Sequence, residues 1–140
     1  MKYLQDYMSA RQTVALDKAG AFFALSTKQF EKQKKPNTTY VNGHAGMICP
    51  KDTLTTLLKE LDEIYKSSIA QDLAENGAQA IIIRELNNHE AYYTGDIEST
   101  VEALSDYPYP ITIEAIQKIF KDKTHDPDNR TKTLAERASA

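Results

Sequence analysis

"TTYVNGHAGMIC", residues 38–49, decides the fold class. Thr, Tyr and Val on one side and Met, Ile and Cys on the other suit pleated strands. Asn42-Gly43 between them is the pair best fitted to the positive φ angles of a two-residue hairpin turn. The reading is a hairpin with strands over 38–41 and 44–49. Gly46 within the second strand predicts a bulge or a close backbone approach. The apolar run "AFFAL" at 21–25 reads as a further buried strand, giving a small antiparallel sheet of about three strands.

Helical signals surround this sheet. Tyr3, Leu4, Tyr7, Met8, Val14 and Ala15 form a stripe ended by Gly20, which predicts a first helix over 3–18. Ser26 and Gln29 fit a capping box, with Leu25 and Phe30 placed as a hydrophobic staple, so a short helix is expected over 27–35. After Pro50, apolar residues recur at three- and four-residue steps through Leu54, Leu57, Leu58, Leu61, Ile64 and Tyr65. With Asp52 as N-cap, this helix is expected to run to about Glu75 and stop at Asn76-Gly77. Leu57, Leu58, Leu61 and Ile64 are expected to pack on Phe22, Phe23 and the Met47–Cys49 strand.

The run Ala80–Leu86 is compatible with strand or helix. Helix is favoured because Ile82, Leu86, His89 and Tyr93 follow at steps of four, three and four. Asp96 can cap a short helix carrying Ile97, Val101 and Leu104. Pro108 and Pro110 break the chain. Thr112 is placed to cap a last helix, with Ile111 stapling Ile116 and with Ile113, Ile119 and Phe120 on its buried face. The expected architecture is α+β: a small antiparallel sheet packed against helices, a helical C-terminal half, one domain over 1–122, and a flexible tail over 123–140.

Composition narrows the function classes. Of 140 residues 41% are hydrophobic and 26% charged, in the range of chains that bury a single core. The formal charge of −3 comes from signs mixed along the chain, which argues against nucleic acid as a partner. Cys49 is the only cysteine, so no intrachain disulfide and no thiol cluster for zinc can form. The polar start "MKYLQDYMSARQ" lacks the apolar run of a secretory signal, and no stretch has the apolar length of a membrane span. A cytoplasmic protein is expected, with no cofactor and no metal. Self-association is left open.

Two sets of residues are candidates for function. In "RELNNHEAYYTGD", residues 84–96, Glu85, His89, Glu90 and Asp96 could serve a hydrolase or nuclease, with His89 as general base or with a divalent metal held partly by Glu85 and His89. The commoner role for such a histidine is structural, at a helix C-terminus and hydrogen-bonded to carbonyls. His44 and Cys49 could make a Cys/His pair, but a cysteine ending an apolar strand more often acts as a small buried hydrophobe. The second set is Tyr92, Tyr107 and Tyr109. If Tyr93 continues the buried stripe, Tyr92 turns outward, and the two prolines stiffen Tyr107 and Tyr109, so the three could anchor a protein partner.

"FFALSTKQF", "GHAGMICPKD" and "LNNHEAYYTGD" together resemble a family of small uncharacterised proteins carried by phages and mobile elements. The likeness covers residues 22–104, and His44-Ala45 depart from the family's glycine-rich strand. The resemblance implies a setting rather than an activity: an accessory protein that binds a host protein, in the manner of inhibitors of restriction or CRISPR defence. Non-enzymatic binding is the leading expectation, and the metal-dependent hydrolase or nuclease is the alternative.

Overall fold

The computed structural model describes residues 1–124 of the 140-residue chain. Contacts divide the chain into two compact units, the first covering Met1–Asp72 and the second beginning at Leu73.

In the first unit, α1 (Leu4–Ala19) ends where Gly20 turns left-handed and returns its N–H to Asp17 and Leu16 carbonyls. β1 (Phe22–Phe23) and α2 (Thr27–Gln33) follow. β2 (Tyr40–Asn42) and β3 (Met47–Pro50) form the hairpin, and β3 is the central strand of an antiparallel sheet ordered β1-β3-β2. The register pairs Tyr40 with Pro50, Val41 with Cys49, and Phe22 with Ile48.

The hairpin exists, but its turn is longer than the two-residue one expected. Gly43 and a 3-10 turn over His44–Gly46 make the connection, and the positive φ angles fall on Ala45 (55°) and Gly46 (81°). Gly46 is the close approach anticipated from sequence. Ala24 N–H donates to its carbonyl at 2.9 Å, and a Cβ there would stand 3.2 Å from Ala24 O and 2.9 Å from Leu25 Cδ2.

α3 (Lys51–Asn76) is the long helix after Pro50, and Asp52 sits in its first turn rather than at the cap. Thr53 Oγ1 ties its start to the end of α1 by donating to Ala19 O at 2.7 Å. The core joins Met8, Ala15, Met47, Cys49, Leu57 and Ile64, with Leu54, Leu61 and Tyr65 packed against it. Three expected core contacts are corrected. Leu58 and Phe23 are exposed, and Phe22 lies on the opposite sheet face, stacked on Phe30 of α2 and edge-on to Tyr40. The sheet is therefore covered on both faces. Ser26 Oγ does accept the Gln29 N–H, but Gln29 Oε1 reaches back to Leu25 N–H, and Leu25 is 83% exposed rather than stapled.

The second unit is helical. α4 (Ala78–Asn88) resolves the Ala80–Leu86 ambiguity as helix, with Ile81, Ile82 and Leu86 fully buried. Then come α5 (Ala91–Thr94), α6 (Glu98–Ala103) and α7 (Ile113–Thr124). Thr112 Oγ1 caps α7 by accepting the Ala115 N–H at 3.1 Å. Ile111 and Ile116 are buried, but Ile113 is 52% exposed, so the buried face of α7 starts later than its first residue. α7 also includes Lys123 and Thr124, the first two residues of the expected tail. The rest of that tail lies outside the described residues. No described helix is long and apolar enough to cross a membrane.

Candidate functional site

Glu85 is the centre of the polar stretch, and it points inward. α4 buries a wide face, Ile81, Ile82, Arg84, Glu85 and Leu86, so two adjacent charges enter the interior together. Arg84 Nε donates to Glu85 Oε1 at 2.8 Å, with the two side chains 3% and 10% exposed. A buried charge left alone is costly, and here the two opposite charges meet. The second carboxylate oxygen faces His89 Nε2 at 3.5 Å, one helical turn on, and the Glu85 carbonyl accepts from Thr100 Oγ1 of α6 at 3.3 Å.

His89 stands at the C-terminal end of α4, as expected of a structural histidine. Its ring, however, faces the Glu85 carboxylate rather than backbone carbonyls. Glu90 is exposed and adopts a left-handed φ of 55°, and its carbonyl accepts from the N–H groups of Tyr93 and Thr94. Asp96 is exposed and its Oδ1 accepts the Glu98 N–H at 2.9 Å, starting α6. The structure thus brings Glu85 and His89 together and gives Glu90 and Asp96 separate backbone roles. Among the described residues, no three His, Cys, Asp or Glu side chains gather to hold a metal ion. Cys49 is fully buried in the core of the first unit.

The tyrosines change places. The left-handed Glu90 ends α4 and restarts the helix at Ala91, so the stripe through Ile82 and Leu86 does not continue to Tyr93. Tyr93 is 82% exposed, while Tyr92 stacks on Phe120 of α7 at 5.3 Å between centroids. The Tyr92 hydroxyl is buried with no hydrogen-bond partner among the described residues, and burial raises its pKa above the ordinary 10.0. Tyr107 is also buried, at 6% exposure, leaving only Tyr109 of the expected trio in solvent, at 85%. Tyr92, Tyr107 and Tyr109 therefore do not form one exposed surface.

Sequence reasoning missed Arg84 as the partner of Glu85. The signal available was an acid-base pair embedded in the apolar run "IIIREL". It also missed a charge cluster in the first unit: from Thr27 to Lys51 the chain carries Lys28, Lys32, Lys34, Lys35 and Lys51 against one carboxylate, Glu31.

Comparison with known proteins gives a family without an activity. No curated protein and no solved structure matches the chain. Residues 4–125 match a family of unknown function, DUF7659, and the chain belongs to that family.

Proposed function

We propose that the protein is a non-enzymatic binding protein that acts on a host protein, as a phage or mobile-element accessory factor inhibiting a defence of the restriction or CRISPR kind. The setting rests on the sequence resemblance alone. Binding rests on one observation: in the second unit the large apolar side chains Tyr93, Tyr109 and Ile113 stand in solvent at 82%, 85% and 52% exposure. Meanwhile two of the candidate acids are engaged, Glu85 with Arg84 and Asp96 with the start of α6. Exposed tyrosines are effective anchors because they bring large contact area with few rotatable bonds, and a central one contributes at least about 2 kcal/mol.

The test is capture from host lysate by the wild type and by Tyr93→Ala and Tyr109→Ala, each checked for native circular dichroism. The expected result is a partner band retained by the wild type and lost from at least one folded variant. Metal-dependent hydrolysis by the purified protein, abolished by Glu85→Gln with the fold retained, would replace this reading with the enzymatic one.

A further inference from the structure

The two outer edges of the sheet differ. On β1 the outward Phe23 carbonyl accepts from Gln33 Nε2 at 3.4 Å and the next N–H, on Leu25, is taken by Gln29 Oε1 at 2.7 Å. Glutamines of α2 thus occupy two of that edge's outward groups. On β2, Lys51 N–H donates to Thr39 O at 2.8 Å and Gly43 N–H to Met47 O at 2.7 Å. These bonds fix the inward-facing positions as Thr39, Val41 and Gly43, since antiparallel pairs alternate. Tyr40 and Asn42 consequently turn their N–H and C=O groups outward, and no described residue bonds them. An open strand edge of this kind is a template for a further strand.

What surrounds the open edge selects its occupant. Lys35, whose N–H donates to Tyr40 Oη at 2.9 Å, and Lys51, whose N–H bonds Thr39, flank one end. Lys34 lies over the Phe30 ring, beside Glu31. The ammonium groups of Lys35 and Lys51 have no described carboxylate within ion-pair distance. Beside β2 an open cleft of about 560 Å³ is lined by Leu25, Phe30, Tyr40, Asn42 and Ile48 among others. We infer that the β2 edge docks an extended acidic segment of a partner protein, which adds a fourth strand along Tyr40–Asn42, sets carboxylates against the lysines and drops an apolar side chain into the cleft.

A peptide fits better than a nucleic acid. In-plane N–H and C=O groups match a peptide backbone. The rings of Phe22, Phe30 and Tyr40 are engaged with one another rather than free to stack bases. No arginine lies between Thr27 and Lys51 to read base edges. This surface belongs to the first unit and stands independently of the tyrosines proposed above.

The experiment is fluorescence anisotropy of the full chain with a labelled peptide of about six alternating Val and Glu residues, the length of an ordinary strand. Its comparators are the Val/Lys counterpart, the same Val/Glu peptide N-methylated at alternate residues, and a labelled oligothymidylate. The Val/Glu peptide is expected to bind, more weakly as salt rises to roughly 0.15 M, and the Val/Lys and N-methylated peptides are not. The double substitution Lys34→Glu/Lys35→Glu, at exposed positions, is expected to weaken binding by roughly tenfold or more. Absent binding of the Val/Glu peptide, equal binding of its N-methylated form, tighter binding of oligothymidylate, or an unaltered affinity in the folded double variant overturns the proposal.

Discussion

Glu85 lies in the interior with its oxygens 2.8 Å from Arg84 Nε and 3.5 Å from His89 Nε2, whereas Lys28, Lys32 and Lys35 stand in solvent with no ion pair among the described residues. The helical unit takes the residues that look chemical and uses them to build itself: Glu85 pairs with Arg84, Asp96 starts α6 and Tyr92 packs on Phe120. The sheet unit does the reverse. Its polypeptide groups at Tyr40 and Asn42, among the least conspicuous in the sequence, have no partners among the described residues. A dense polar motif therefore marks a folding device in one region, and a plain strand marks an open surface in the other.

The largest expected effect tests the first half of that contrast. Glu85→Ala removes the buried carboxylate that accepts from Arg84 Nε and is expected to lower unfolding free energy by up to about 3–5 kcal/mol, measured by chemical denaturation. A loss below about 1 kcal/mol would show that the pair is not part of the folding device. Next comes Leu57→Ala in the core of the sheet unit, where the side chain is 1% exposed, with an expected loss of about 2–5 kcal/mol. Intact cooperativity with no shift in the midpoint would detach α3 from the sheet.

His89 sharpens the comparison, because it shares Glu85 yet is 30% exposed. Solvent screens such a contact, so His89→Ala is expected to cost under about 1 kcal/mol in the same assay, well below Glu85→Ala. Equal losses for the two would make the imidazole an integral member of the buried cluster. The smallest effect belongs to Tyr92→Phe, which removes a buried hydroxyl that has no partner among the described residues and is expected to raise stability by up to about 1 kcal/mol. Its pH dependence has a definite sign. The folded-state pKa of Tyr92 lies above 10.0, so its contribution is full below that pH and is lost as pH rises through the raised value. Denaturation midpoints recorded across this alkaline range should fall less steeply in Tyr92→Phe than in the wild type; parallel curves would refute the assignment.

Local pattern carried much of the architecture. Gly20 ending α1, the stripe from Leu54 to Tyr65, Thr112 capping α7 and strands on both sides of Asn42-Gly43 are all short-range signals, set by backbone sterics and by the 3.6- and 2-residue periods. The errors lie where a single residue changes the phase. One left-handed residue, Glu90, rotated everything after it and exchanged the places of Tyr92 and Tyr93. Ala45 did the same to the hairpin turn, moving the positive φ angles away from Asn42-Gly43.

By itself, then, the sequence determined the α+β class, the three antiparallel strands and most helix boundaries, because these follow from interactions among residues a few positions apart. Only the tertiary structure decided which groups are spent and which remain open. Arg84 and Glu85 meet as buried opposite charges only once α4 is enclosed, and Gln33 and Gln29 reach the β1 edge only once α2 folds back over the sheet, while no described residue bonds the outward groups of β2. Whether a polar group has a partner depends on what arrives from distant parts of the chain, and no local period encodes that arrival.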